Sequence, residues 1–224
     1  MNEAYGTLPP KYAESLLYVD LVDVLSAYRK FSRLSSLSRI LGVRESSLSK
    51  YVNGRLRPRP NRCLSLVRSL TSVDLVRGAV MEYLRDGGIV ELLTDVHFTK
   101  LIALAILGKI VEVFRGSRVE TIITSSEALL IASHVSHRLK SPLLNIHVAR
   151  GTSRMRNLGN TAVILVMADE EVVRQLARVK AESRRTDVKY IFAMIYSAEA
   201  EQLASTFPNA VVDCLIMMPQ EPTR

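Results

Sequence analysis

Leu34–Pro60 reads LSSLSRILGVRESSLSKYVNGRLRPRP. The stretch predicts two short helices around a tight turn, followed by a basic arm. Such a helix-turn-helix needs apolar residues where its helices cross, a flexible corner, and polar residues on the outer face of the second helix. Leu37, Ile40, Leu41, Val43, Leu48 and Val52 fill the apolar positions. Gly42 stands at the corner, where a left-handed backbone costs glycine little. Arg44, Glu45, Ser46, Ser47, Ser49, Lys50 and Asn53 are left facing outward. Ser35 or Ser36 is the expected cap of the first helix, because a hydroxyl accepts from its free N–H groups. The second helix runs from about Arg44 to Asn53, and Asn53-Gly54 stops it. Pro58 and Pro60 then forbid a regular helix and favour an extended arm that exposes Arg55, Arg57 and Arg59.

Charge points the same way. From Arg29 to Arg68 there are eleven basic residues and a single acid, Glu45, a net +10; the rest of the chain therefore sums to −2 within the overall +8. A solvated face normally mixes both signs. A one-signed window implies contact with phosphates, and with it double-stranded DNA as the partner.

Outward from this window the pattern changes. Leu16, Leu17, Leu21, Val24, Leu25 and Tyr28 recur at helical spacing between Tyr12 and Phe31. Asn61 is the expected cap of a helix carrying Leu64, Val67 and Leu70, and Leu75 to Arg85 continues helically. Gly87-Gly88 marks the expected border between a first domain, 1–88, and a second, 89–224. In the second, helices alternate with β-rich runs. Thr99–Arg115 is helical, Val119–Thr124 extended, Glu127–Leu139 helical and Leu143–Ala149 extended. The apolar run Ala162–Met167 suits a strand buried on both faces. Glu170–Ser183 is helical, Val188–Ile195 extended, Glu199–Phe207 helical and Ala210–Met217 extended. This order predicts an α/β domain with a mostly parallel, doubly wound sheet. The fold class is thus an all-α helix-turn-helix domain joined to an α/β domain.

With 224 residues and 48% hydrophobic content the chain can bury a sizeable core. Its apolar runs are too short to span a bilayer, and its first twenty residues show no signal-peptide pattern, so no membrane and a cytoplasmic location are expected. Cys63 and Cys214 sit in no CxxC pair; two reduced thiols are expected, with a bridge left open.

Open α/β sheets bind ligands at the carboxyl ends of their strands. After the first strand comes Thr124-Ser125-Ser126-Glu127, either an ordinary helix cap or an anion site at Ser125 and Ser126. The loop after Ala149 carries Arg150, Arg154 and Arg156, which would clamp a phosphate or touch DNA, or merely be solvated. After Ala162–Met167 comes Ala168-Asp169-Glu170-Glu171, acidic and without glycine, where a phosphate is repelled. His134 and His137 share a helix face, but no residue near them completes a metal set. Neither GxSxG, a Walker loop nor GxGxxG occurs. No catalytic residue, metal or cofactor is expected.

The chain resembles archaeal regulators that join an N-terminal helix-turn-helix to a type I phosphoribosyltransferase-like domain. The likeness covers nearly the whole chain and is carried by KYAESLLYVDLVDVLSAYR, LSRILGVRESSLSKYVNGRLRP and VETIITSSEALLIASHVSHRLKSPLLNIHVARG. It implies a phosphoribosyltransferase-like fold and a regulatory role. Active members of that superfamily follow a buried strand with two acids and a Thr-Gly loop. Here Met167 and Ala168 stand where the acids belong, and Glu171, Val172, Val173 and Arg174 stand where the loop belongs. Asp169 and Glu170 are at most a shifted remnant. The departure argues against transferase activity. A homodimer is expected, with apolar helices such as Thr99–Val113 as its surface, together with sensing of a nucleotide or phosphate-containing effector. The alternatives are a nucleotide-salvage phosphoribosyltransferase with a DNA-binding appendage, and a non-specific architectural DNA-binding protein.

Overall fold

The computed structural model describes residues 10–148, 157–183, 185–196 and 201–217. The chain divides into two compact units, Met1–Gly108 and Lys109–Arg224. The first unit is all-helical: α1 Pro10–Arg29, α2 Leu34–Leu41, α3 Glu45–Val52, α4 Pro60–Leu70, α5 Val73–Asp86 and α6 Ile89–Thr94, with most of α7, Val96–Phe114.

Helix α1 is the spine of this unit. Leu17, Leu21, Val24, Leu25 and Tyr28 are buried along one stripe. The Tyr28 hydroxyl donates to the Leu70 carbonyl at the end of α4 (2.7 Å), and burial raises its pKa. Leu37, Val43 and Leu48 are buried where α2 and α3 cross, as their spacing predicts. Ile40, expected among them, is instead 57% exposed. An eight-residue helix has just over two turns, and Leu37 with half-buried Leu41 already fills its inner side.

The caps also differ from expectation. Arg33, not a serine, precedes α2, and no side chain caps it. Helix α4 starts at Pro60 rather than after Asn61. Proline suits the first helical position because the N–H it lacks has no partner there. Helix α6 escaped the sequence pattern altogether: it has six residues, and Gly88 precedes it. The border expected at Gly88 lies inside the first unit, while the division falls within α7. Aromatic contacts account for this, since Phe98 of α7 packs 5.6 Å from Phe31 and 4.4 Å from Tyr83 between ring centroids. Leu101, Ile102 and Ile106 of α7 are buried. These side chains are already enclosed, so the dimer surface expected on that helix is not exposed.

The second unit holds β1 Thr121–Thr124, α8 Leu129–Leu139, β2 Leu143–Asn145, β3 Asn157–Ala168, α9 Glu170–Glu182, β4 Arg185–Tyr196, α10 Glu201–Thr206 and β5 Val211–Met217. Its sheet has the order β2-β1-β3-β4-β5, and every pair is parallel. Thr121–Thr124 pairs in register with Thr161–Ile164. One face packs Ile123, Val163, Leu165 and Ile191 against Val172, Leu176 and Val179 of α9 and Leu203 of α10. Ile122, Ala162, Ile164 and Phe192 have the opposite parity and are also buried. Both faces are covered, which is why Ala162–Val166 is an unbroken apolar run. The fold is therefore α/β with an all-α N-terminal unit.

Among the described residues no helix is long and apolar enough to cross a membrane. Among the described residues neither Cys63 nor Cys214 forms a disulfide. Burial, helped by the charge of Asp20, pushes the Cys63 thiol up to about 12.

Candidate nucleic-acid interface

Helix α3 begins where Arg44, in extended backbone, accepts from the Ser47 and Leu48 amides (2.9 and 3.1 Å). Glu45 follows in its first turn, where a carboxylate complements the helix dipole. Leu48 points inward and is fully buried. Ser46, Lys50 and Asn53 follow one another at four- and three-residue steps, so they share one exposed stripe. Ser47 and Ser49 are half-buried, and Asn53 Nδ2 donates to Ser49 Oγ (3.4 Å).

The end of α3 is a Schellman turn. Arg55 N–H donates to the Lys50 carbonyl (2.9 Å) and Gly54 N–H to the Tyr51 carbonyl (3.2 Å), with Gly54 left-handed at φ +71°. The chain then doubles back into the arm, where Arg55, Arg57 and Arg59 are all exposed. Among the described residues none of Arg33, Arg39, Arg44, Lys50, Arg55, Arg57, Arg59, Arg62 and Arg68 is paired with an acid, whereas Lys30 is paired with Asp95. The structure thus collects Arg44, Glu45, Ser46, Lys50, Asn53 and the three arm arginines on solvent-facing backbone. It adds Tyr18, which sequence reasoning missed. The Tyr18 hydroxyl donates to the Tyr51 carbonyl (3.0 Å), and the Arg57 guanidinium lies 4.9 Å from its ring centroid. Only the three-dimensional crossing of α1 and α3 brings these residues together; nothing in their spacing announces it.

The carboxyl ends of the strands are the second place to look. Ser125 is 1% exposed, and its hydroxyl has no hydrogen-bond partner among the described residues. Ser126 Oγ accepts from Asn145 Nδ2 (3.2 Å). Neither serine caps α8, which starts after Ala128 without a side-chain cap. The ordinary-cap expectation is thereby corrected. Arg150, Arg154 and Arg156 lie outside the described residues. At the end of β3, Met167 is 41% exposed and Ala168 is buried. Asp169 caps α9 by accepting from the Val172 amide (2.9 Å). Glu170 and Glu171 hold Arg174 at 2.6 and 2.9 Å. These acids serve the start of a helix. No group of three His, Cys, Asp or Glu side chains placed to hold a metal occurs among the described residues.

An open pocket of about 610 Å³ lies at the other end of β4 and β5, lined by Lys109, Glu112, Arg115, Asp187, Lys189 and Asn209 among others. Its charges are mutually satisfied in part, with Lys109 3.0 Å from Glu112 and Lys189 3.8 Å from Asp187. Behind it Tyr190 is raised well above its ordinary value by burial and by the neighbouring Asp213.

No family model matches the chain, and no curated protein matches it in sequence. Among solved structures, an adenine phosphoribosyltransferase from Thermoanaerobacter pseudethanolicus aligns over 62% of this chain and 86% of its own, at 7% identity and a TM-score of 0.36. The UMP synthase of Leishmania donovani aligns over 72% of this chain and 42% of its own, at 12% identity and a TM-score of 0.37. At these scores neither likeness carries an argument about activity, ligand or partner. The sheet order and register stand independently of them.

Proposed function

We propose that the first unit binds double-stranded DNA and that the chain is a dimeric, sequence-specific transcriptional regulator. One observation carries this reading: nine cations between Arg33 and Arg68 stand without acidic partners among the described residues, in the same window as an exposed polar helix face. Surface cations in a mixed-charge face acquire partners; cations reserved for phosphates do not need them. Helix α3 enters the major groove, with Ser46, Lys50 and Asn53 at base edges and Arg44 at the helix start. Glu45 accepts from a cytosine amino group. Arg55 and Arg59 contact the phosphodiester backbone and set the register. A dimer reads two half-sites about one helical turn, ~34 Å, apart.

The second unit is read as catalytically silent, because the acids nearest a ligand-binding strand end are engaged by the α9 amides and Arg174. Its proposed role is dimerisation and sensing of a nucleotide or other phosphate-containing effector at Ser125 and Ser126.

Selection of bound duplexes from a random pool tests the reading. The expected result is an enriched motif with paired half-sites, and no enrichment would overturn it. Lys50→Ala should then relax preference at one base pair by about 1–3 kcal/mol while leaving binding to unrelated duplexes little changed. An architectural protein would instead bind every duplex alike at all salt concentrations. Formation of a nucleotide from phosphoribosyl pyrophosphate and a free base would favour the transferase alternative.

A further inference from the structure

We propose that Tyr18 is a positioning residue that fixes Arg57 as a clamp for one DNA backbone phosphate beside the end of α3. The proposal rests on the DNA-binding reading above and deepens it. Tyr18 is half-buried on α1 and touches two elements at once. Its hydroxyl donates to the Tyr51 carbonyl (3.0 Å), in the last turn of α3. That carbonyl already accepts the Gly54 N–H at 3.2 Å, so the ring is tied to the turn that ends the helix. A Cβ at Gly54 would lie 4.0 Å from the same hydroxyl, which shows how closely the turn approaches it. Its ring face meanwhile carries the Arg57 guanidinium, 4.9 Å from the centroid.

Arg57 is restrained from both directions. Pro58 follows it and holds its backbone extended. The ring also engages its head group, whose central carbon lies 4.9 Å from the centroid, a contact with an aromatic face that a planar guanidinium favours more than an ammonium does. Arg57 stays exposed there and has no acid partner among the described residues, so the N–H fork of its guanidinium is available for two parallel bonds to a phosphate. Insertion into a minor groove would require Arg57 to leave the ring. Among the described residues neither Arg55 nor Arg59 lies over an aromatic ring. The three arm arginines are therefore not equivalent: Arg57 alone is pre-ordered, and it moves with α3 rather than with the arm.

The test uses the full chain, a selected duplex and an unrelated duplex, with affinities measured from about 50 to 200 mM salt. Arg57→Ala should flatten the log–log salt slope by about one for both duplexes. Tyr18→Leu, which removes no charge, should weaken both duplexes by about two- to tenfold without changing the preference between them. Its effect should vanish in the Arg57→Ala background, because the ring then has nothing to position. Additive losses in the double variant would overturn the proposal, as would a Tyr18→Leu effect confined to the selected duplex. Should Tyr18→Leu fail to fold, Arg57→Lys decides: it keeps the charge and loses the stack and fork, and parent-like affinity would overturn the clamp. A parent chain that binds no duplex overturns this inference and the DNA-binding reading together. A parent that binds well while the Tyr18 and Arg57 losses add leaves the DNA-binding reading standing alone.

Discussion

Asp95 offers a test of the first unit that is independent of any ligand. Its Oδ1 accepts from the His97 and Phe98 amides at 3.0 and 3.3 Å, at the start of α7, and its Oδ2 accepts from Lys30. Burial by itself pushes this carboxyl up, but the Lys30 ammonium and the two amides outweigh it and the net shift is downward. A carboxyl with a depressed folded pKa stabilises the fold above its unfolded value of about 3.9, and the contribution is lost as pH falls through the folded value. Asp95→Asn keeps an oxygen for the two amides and removes the charge. The Asp95 side chain is 7% exposed, but that of Lys30 is 42% exposed, so solvent screens the pair. The pair itself is then worth under about 1 kcal/mol, and the charge-assisted part of the cap adds a similar amount. The variant should lose about 1–2 kcal/mol at neutral pH, a fall of several degrees in the first unit's unfolding midpoint at ~4–8 °C per kcal/mol. Calorimetry with far-UV circular dichroism from about pH 3 to pH 8 measures it, the gap between parent and variant closing at the acid end. An unchanged midpoint at neutral pH, or a gap that persists undiminished in acid, would refute the reasoning.

Leu48→Ala should destabilise the first unit by about 2–5 kcal/mol, because Leu48 is fully buried at the α2–α3 crossing; urea unfolding measures this, and a loss below about 1 kcal/mol would deny that the two helices share a core. Ser125→Ala removes a buried hydroxyl that has no partner among the described residues, so the ligand-free chain should be no less stable and by up to about 1–3 kcal/mol more so. If Ser125 serves an effector, the same variant should lose the rise in melting temperature that inorganic phosphate or a nucleotide gives the parent, and thermal shifts with each ligand report it.

Most of the sheet was legible because its signal is redundant. Ala162–Val166 is apolar at every position, and only a strand covered on both faces needs that. The crossing of α2 and α3 was legible at Leu37, Val43 and Leu48 and failed at Ile40, because in two turns of helix one apolar residue more or less does not fix the inner side. Gly87-Gly88 looked like a border because glycine pairs interrupt helices, yet the Phe31, Tyr83 and Phe98 rings close over the segment that follows. Such aromatic clusters join residues far apart in the chain and leave no local trace. The same is true of Tyr18, whose part at the candidate interface depends on a crossing angle rather than on a spacing. The basic window was the clearest signal of all, since an imbalance of eleven cations to one acid needs no geometry to be seen.

The end of β3 has a consequence for any design that would place carboxylates there. An acid pair ending that strand would fall on Met167 and Ala168, and the two sites are not alike: Met167 is 41% exposed, Ala168 fully enclosed. A carboxylate is tolerable at the first. At the second it would enter an apolar interior unaccompanied, beside the cluster of Val172 and Val173, and would either take up a proton or unpack its surroundings. Introducing such a pair by single substitutions thus meets an obstacle halfway, since one half of the pair is harmful until the packing around it has already changed.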